Sequence, residues 1–289
     1  MNPDIIIIGG GMVGGMVAKY LKKQGLSTMI IDSKETYAAS KCSFGLWKDG
    51  WINDSIRDMA MDGMDLLEEV CDGIETVEVW DMKRDEIMEM SKVDCGLITN
   101  ESISYLRVKK IQNNKVFIDS ILDKSEYIAN KAVIIAAGAY TDELLIKSNY
   151  TDIHWLNKYW GATLRVNIQI DSHRIKEWAP YKQNVLVKVD EQNFTFGDGA
   201  SVKNPLLNDK RIEKTSNRLL QHLTDVSGLT DFGKIKAVDE GWRPYLPKGN
   251  DQYIKQHDEK LFSITGGAKN TTILCGYFAK KIFELIKNV

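Results

Sequence analysis

Gly9, Gly11 and Gly14 fall as G-x-G-x-x-G, and Asp32 follows roughly 20 residues on, the separation at which an acidic side chain meets a ribose. A first glycine allows a tight turn from strand to helix, a second lets backbone approach a pyrophosphate, and a third lets helix pack closely on sheet. The elements that would position them are legible on either side. Residues 4–8 are a short apolar, β-branched run of the kind that forms a buried parallel strand. Val17 and Leu21 continue at helical spacing to Gly25, which stands where a C-cap glycine belongs. A second strand over residues 27–31 ends at Asp32. The N-terminus of the intervening helix offers free N–H groups and a positive dipole end to phosphate. Set between two strands, the motif predicts a dinucleotide site. The bland alternative is a glycine-rich turn without a ligand.

Composition narrows the class further. A chain of 289 residues, 43% hydrophobic, can bury a sizeable core as one or two domains. Its formal net charge of −2 argues against a surface that coats nucleic acid, while leaving room for a local basic patch. The opening apolar run is too short for a membrane span and lacks a signal-peptide cleavage pattern, and no later stretch reaches spanning length. Cys42, Cys71, Cys95 and Cys275 show no C-x-x-C spacing, so reduced thiols in a cytoplasm are expected. His154, His173, His222 and His257 make no metal-ligand spacing, and no metal is expected. No internal repeat or low-complexity linker interrupts the chain.

Further along, Ser40, Ser43 and Gly45 form S-x-x-S-x-G in a polar loop. Residues 55–71 read as an amphipathic helix with Ile56, Ala60, Met64, Leu67 and Cys71 on one face. Strands are expected over 76–82, 104–111 and 115–121, the last two joined by a turn at 112–114. Met88 and Met90 read as core filling rather than a cofactor box. A buried strand at 132–135 runs into Ala136, Ala137, Gly138 and Ala139, small residues that let backbone pass close to a ligand. Residues 151–236 look like a different layer, with strands at 161–170, 184–189 and 194–197 and a helix at 208–226. Trp155, Tyr159, Trp160 and Trp178 there are either sheet core or an aromatic wall over a substrate. At the end, 240–249 reads EGWRPYLPKG, 261–270 is a strand entering a glycine turn, and 271–287 is a helix burying Ile273, Phe278, Ile282 and Ile286.

Together the dinucleotide turn, the S-x-x-S-x-G loop, the A-A-G-A-Y segment, G-x-R-P-x-x-P-x-G and the G-G-x-K-N run resemble the D-amino-acid oxidase family of FAD-dependent oxidoreductases, which includes glycine oxidase and sarcosine oxidase. The resemblance is discontinuous, covering 5–32, 40–45, 108–141, 241–249 and 262–286, about half of the chain. It implies an α/β fold: a Rossmann-type FAD-binding domain made of 1–53, 93–150 and 237–289, with an inserted, largely antiparallel α+β substrate domain made of 54–92 and 151–236. It implies an FAD lying extended along the first domain. Carried over residue by residue, the cofactor would meet Gly9, Gly11, Met12, Val13, Gly14, Asp32 and Ser33 at its adenosine end. Ser40, Ser43, Gly45, Val108, Ala137 and Gly138 would follow along its length, with Gly267, Lys269, Asn270, Thr271 and Thr272 at the flavin. Departures are visible too. The stretch between Gly45 and Val108 is short, which predicts a reduced roof and a more open pocket. Lys248 stands where relatives often carry an aspartate, and no cysteine falls in 241–247, so the FAD is expected to be noncovalent.

In this family the flavin carries the redox step, and the protein binds, orients and tunes. A cation gripping a substrate carboxylate would align the C–H bond with flavin N5. Arg243 is the first candidate, since a guanidinium binds a carboxylate bidentately; its alternative is a structural ion pair with Asp239 or Glu240. Lys269 matches a basic position that contacts substrate or flavin in relatives; its alternative is a solvated loop charge. Backbone N–H groups over 266–272, at the start of the last helix, suit the negative charge of reduced flavin. Tyr245, Tyr159 and Trp160 would line the pocket or simply pack. The resemblance implies oxidation of a C–N bond in a small amino acid or secondary amine carrying a carboxylate, with oxygen or another acceptor taking the electrons. Two other readings stay open. One is the same chemistry on an amino-acid-modified nucleotide, as in bacteriophage thymidine hypermodification or the tRNA wobble uridine, with Lys109, Lys110, Lys115, Lys176, Lys182 and Lys188 as a local basic cluster. The other is a non-catalytic flavoprotein subunit.

Overall fold

The computed structural model describes residues 2–34, 39–48, 50, 52–119, 126–179, 182–206, 210–248, 250, 252–287 and 289. The last residues of the strand expected over 115–121 and the first of the helix expected over 208–226 lie outside them. In chain order the strands begin with β1 (Ile5–Ile8), β2 (Thr28–Asp32), β3 (Leu46–Trp47), β4 (Glu75–Asp81), β5 (Glu86–Lys92) and β6 (Ile103–Tyr105). Next come β7 (Val108–Gln112), β8 (Lys115–Ile118), β9 (Glu126–Ile128), β10 (Ala132–Ile135), β11 (Asn157–Asn167) and β12 (His173–Ala179). The remainder are β13 (Lys182–Lys188), β14 (Asn193–Gly197), β15 (Val202–Lys203), β16 (Ile235–Tyr245), β17 (Ile254–Asp258) and β18 (Leu261–Ile264). The helices are α1 (Met12–Lys23), α2 (Asp54–Val70), α3 (Cys95–Thr99), α4 (Thr141–Lys147), α5 (Lys210–Ser227) and α6 (Thr271–Ile286).

A six-stranded sheet, in the order β17-β18-β10-β1-β2-β6, forms the floor of the molecule. All its pairs are parallel except β17 with β18. The four isoleucines of β1 are all buried because this sheet is covered on both sides. Ile5 and Ile7 join α1, α2 and α6 in one cluster with Met16, Leu67 and Phe278. Ile6 and Ile8 join a second cluster with Ile111, Val116 and Leu145, built from the small β7-β8-β9 sheet and α4. This is the Rossmann-type α/β arrangement that the opening motif requires. Gly25 has φ +80°, as a residue ending a helix in the left-handed region must.

A nine-stranded sheet forms the roof. Its order is β15-β11-β14-β13-β12-β4-β5-β3, with β16 paired to the other edge of β11. Most of its pairs are antiparallel, with β12 and β4 the parallel exception. α5 covers one face with Leu219 and Leu223, which pack with Trp160, Leu164, Leu186 and Phe196. Met90 is buried with Val77, Val79 and Ile175, and Met88 packs against that cluster. Although the stretch between Gly45 and Val108 is short, it supplies β3, β4 and β5, and the roof is correspondingly broad.

Two placements differ from the sequence reading. α2 lies with α6 on the floor side, where the sequence grouped it with the substrate domain. Its crossing with α6 is close: a Cβ on Gly63 would come 2.1 Å from the Tyr277 nitrogen, and one on Gly276 would come 2.1 Å from the Gly63 oxygen. β16 was read only as a motif, because Gly241, Pro244 and four charges in 235–245 mask any period-2 pattern. Its position at the sheet edge beside β11 is one where a proline is tolerated. No helix among the described residues is long and apolar enough to cross a membrane.

Candidate active site

The floor meets the roof along a cavity of about 350 Å³ that starts at the β1–α1 turn. Gly9 takes φ +109°, and a Cβ there would lie 2.3 Å from the Ala136 oxygen, just after neighbouring β10. A Cβ on Gly14 would lie 1.9 Å from the Gly9 oxygen, so this glycine sets how tightly helix seats on strand. A Cβ on Gly11 would meet only a side-chain atom, Ser40 Oγ, at 2.7 Å, and would fill the space above the helix N-terminus. Met12 donates its N–H to Ser40 Oγ at 3.0 Å. The first turn of α1 carries no acidic residue and no side-chain cap, so its positive end remains available to an anion.

Asp32 ends β2 and fastens the turn. Its Oδ2 accepts the Gly10 N–H at 2.6 Å and its Oδ1 accepts the Lys34 N–H at 2.6 Å. Each carboxylate oxygen keeps a second acceptor direction, which a sugar hydroxyl can use. On the far wall Gly138, with φ +55°, presents its carbonyl to Thr265 Oγ1 at 3.0 Å, tying the β10 turn to the end of β18. These residues fit an extended dinucleotide: a glycine cradle that a Cβ would fill, a helix N-terminus free of acid, and an acceptor at the sugar end.

Of the predicted cofactor residues, Gly9, Gly11, Met12, Val13, Asp32, Ser33, Ser40, Val108, Ala137, Gly138, Gly267 and Thr271 line this cavity. Gly14, Ser43, Gly45, Lys269, Asn270 and Thr272 do not. Ser43 Oγ lies 3.1 Å from Thr272 Oγ1 and fastens the loop to the start of α6. Gly45, at φ +63°, hands its carbonyl to the Val93 N–H at 2.9 Å. Asn270 donates its N–H to the Gly267 oxygen at 2.9 Å, closing the turn before α6, whose first turn also lacks an acid. The sequence reading missed Tyr140 and Glu143 near the start of α4, and Trp242 and Pro244 on β16. Tyr140 ends the A-A-G-A-Y segment and Trp242 and Pro244 lie within G-x-R-P-x-x-P-x-G, so their motifs were read but not their place on the cavity wall; Glu143 carried no signal.

Beyond the cavity, the β11–β16 pairing arranges the candidate substrate groups. Tyr159 stands opposite Arg243 and Gly161 opposite Gly241, so Tyr159, Arg243 and Tyr245 share one face. The rings of Tyr159 and Tyr245 approach to 4.6 Å between centroids. A Cβ on Gly161 would lie 3.3 Å from Arg243 Nη1, so the bare glycine leaves the guanidinium its place over the sheet. A bridge between Tyr245 and Gly267 brings the turn carrying Lys269 to the same spot. Burial is the main influence raising the Tyr245 pKa, with Tyr159 adding to it and the Arg243 charge opposing. The Lys269 side chain keeps access to solvent, yet its pKa is lowered, by burial of its ammonium first and then by the positive charges of Arg243 and Lys182.

The structural ion pair weighed for Arg243 is not made among the described residues. Asp239 is taken by Arg165, at 2.6 and 3.2 Å, and Glu240 stands opposite Ala162, on the alternate face of β16. Trp160 requires a correction. It is 2% exposed and packs against α5, on the face of β11 opposite Tyr159, so it is core. Its cross-strand neighbour Trp242 reaches the cavity instead. Trp155 is exposed, and Trp178 donates Nε1–H to the Asp198 oxygen at 2.9 Å. Cys42 is buried with its thiol directed to the Asp239 oxygen, and burial raises its pKa. The lysines expected as one basic cluster are divided between two sheets, Lys109, Lys110 and Lys115 on β7–β8 and Lys176, Lys182 and Lys188 on β12–β13.

Comparison with known proteins agrees with this architecture. Residues 4–84 match the family model described as FAD dependent oxidoreductase, DAO. No curated protein sequence matches the chain. Among solved structures, glycine oxidase from Bacillus cereus superposes with TM-score 0.70 at 16% identity, over 99% of this chain and 98% of that one. Iminodiacetate oxidase from Chelativorans sp. BNC1 gives TM-score 0.73 at 13% identity, over 98% and 95%. L-α-glycerophosphate oxidase from Mycoplasma pneumoniae, with FAD bound, gives 0.73 at 15%, over 99% and 95%. Fold, glycine cradle and the match over residues 4–84 agree on one class: the chain resembles FAD-dependent oxidoreductases. Its resemblance is to the D-amino-acid oxidase family, with the glycine oxidase type of fold running from end to end.

Proposed function

We propose that the chain oxidises a C–N bond in a small amino acid or secondary amine bearing a carboxylate, with FAD bound noncovalently along the floor. The observation that carries this reading is Arg243, a guanidinium at the seam of floor and roof with no carboxylate partner among the described residues. Bound FAD supplies the hydride acceptor. Arg243 takes the substrate carboxylate in a bidentate grip and fixes the reacting C–H over the flavin. Tyr159 and Tyr245 form the apolar side of the same pocket and hold water away from it. The α6 N-terminus, free of acid, stands where negative charge on the reduced cofactor would be stabilised. Names among the similar structures include glycine oxidase and iminodiacetate oxidase, which favours an amine with an attached carboxylate.

In the domain division that goes with this reading, the six-stranded floor holds FAD and the nine-stranded roof covers the substrate, with α2 counted to the floor. The test is anaerobic mixing of the FAD-loaded protein with glycine, sarcosine and D-amino acids. Bleaching of the flavin by any of them supports the reading, and admission of oxygen afterwards shows whether oxygen accepts the electrons. A flavin left fully oxidised by every amine would favour a non-catalytic subunit. The nucleotide-attached version of the same chemistry draws its support from Lys269, on the turn bridged to the strand of Arg243. Binding to duplex DNA or tRNA that weakens steeply between two salt concentrations would favour it.

A further inference from the structure

We propose that Gly161 is a positioning residue for the substrate carboxylate: its bare backbone seats the Arg243 guanidinium, and that seat fixes which spacing between carboxylate and amine the site accepts. This rests on the amine-oxidation reading and names the specificity within it. On the shared face of β11 and β16, Arg243 has Tyr159 directly opposite and Tyr245 two residues along its own strand. Gly241 lies two residues the other way, and Gly161 diagonally across. Rings fill two of these four neighbouring positions and meet at 4.6 Å between centroids. The other two are glycines, cross-strand partners of each other and both buried. The long side chain leans to the side that carries no side chains, as a diagonal neighbour can. Its Nη1 and Cζ come to 3.3 and 3.4 Å from where a Gly161 Cβ would stand.

A methyl group at 161 would also meet the Ala200 oxygen, at 3.4 Å. These two neighbours differ in their freedom to move. Ala200 is pinned backbone: its N–H is donated to Asp198 Oδ1 at 2.8 Å, and Asp198, 2% exposed, accepts from Arg218 Nε at 3.3 Å on its other oxygen. Arg243 is held by no carboxylate among the described residues, since Asp239 belongs to Arg165 and Glu240 lies on the other face of β16. Its guanidinium is the far end of a flexible side chain, so it is the group that yields, by a few tenths of an ångström. A cation moved by that amount keeps its charge and changes where a carboxylate must sit. Arginine at 243 supplies the attraction, and glycine at 161 sets its address. A short anion follows a displaced cation, whereas one that spans the pocket follows only by giving up contacts at its other end.

The experiment is calorimetric titration of the FAD-loaded protein with acetate, methoxyacetate and β-methoxypropionate. In the two ethers an oxygen replaces the amine, so nothing turns over, and they differ by one methylene between that oxygen and the carboxylate. Gly161→Ala should shift the ratio of the two ether affinities about threefold or more, since a misplacement near 1 Å costs about 100-fold and this one is a few tenths of that. Acetate should bind to the same variant within about twofold of the parent, because the charge is kept. An unchanged flavin content shows that the variant has folded. An unchanged ether ratio, or acetate weakening in step with both ethers, would overturn the proposal. So would a variant that loses its flavin, because backbone rather than guanidinium would then have given way. Acetate binding that is indifferent to Arg243→Ala would strike instead at the amine-oxidation reading, and no binding by any of the three ligands overturns both.

Discussion

Arg243 is worth isolating because its surroundings were open to two outcomes and took one. A guanidinium two positions beyond Gly241 and three beyond Glu240 could have been consumed by its own strand. Alternation along β16 prevents this, since Glu240 faces away and Asp239 reaches Arg165 across on β11. Arg243→Ala should leave FAD bound and lower kcat/KM on carboxylated amines by roughly 10- to 100-fold, the range expected for a lost charge-assisted bond. Steady-state kinetics on the flavin-loaded variant checks this, and unchanged kcat/KM would return the arginine to a structural role. The tryptophans show what the sequence could not tell. Trp160 and Trp242 are cross-strand neighbours, and only the covering helix α5 decides that Trp160 is buried core.

Elements account for why the glycines are not interchangeable. The Cβ of a side chain at Gly11 would meet the Ser40 hydroxyl, which can turn away, whereas at Gly14 it would meet the Gly9 carbonyl, which cannot. Gly11→Val should therefore give a folded protein that binds no FAD, seen as an intact circular dichroism spectrum without flavin absorbance. A stoichiometric yellow protein would refute the cradle. At the α2–α6 crossing, backbone meets backbone at Gly63 and Gly276, so Gly276→Val should destabilise by roughly 1–3 kcal/mol or more through overpacking. A denaturant midpoint equal to that of the parent would show that the helices can separate at no cost. The floor was legible because its signals are local: β1, α1 and β2 follow one another, each with the glycine or acid that ends it. β16 and α4 were not, because a strand at an edge next to a partner far away in sequence needs no alternating pattern of its own.

Across the whole molecule, the same distinction separates what the chain advertises from what the fold assembles. The lining of the cavity was largely readable, since motif residues lie on the cavity side of consecutive elements. The seam of Arg243 and Lys269 was not, because it joins β16 and the turn before α6, two segments linked only by the bridge between Tyr245 and Gly267. Stability should depend on pH through the half-buried histidines. Burial above all pushes the His257 pKa down to about 4, and His154 and His173 are lowered for the same leading reason. Below the ordinary histidine value of 6.5 the unfolded chain takes up protons that the folded one refuses, so the stability present above pH 6.5 is lost as pH falls towards about 4. Thermal melts from pH 7 to pH 4.5 should show a falling Tm, and His257→Gln should flatten that slope; equal slopes would assign the loss elsewhere. The central claim is that floor and roof close around one extended flavin dinucleotide, and the visible absorption spectrum of the purified chain after reconstitution with FAD tests it most directly. One FAD per chain, released intact by denaturation, is the result expected; a colourless protein that takes up no flavin would contradict the account.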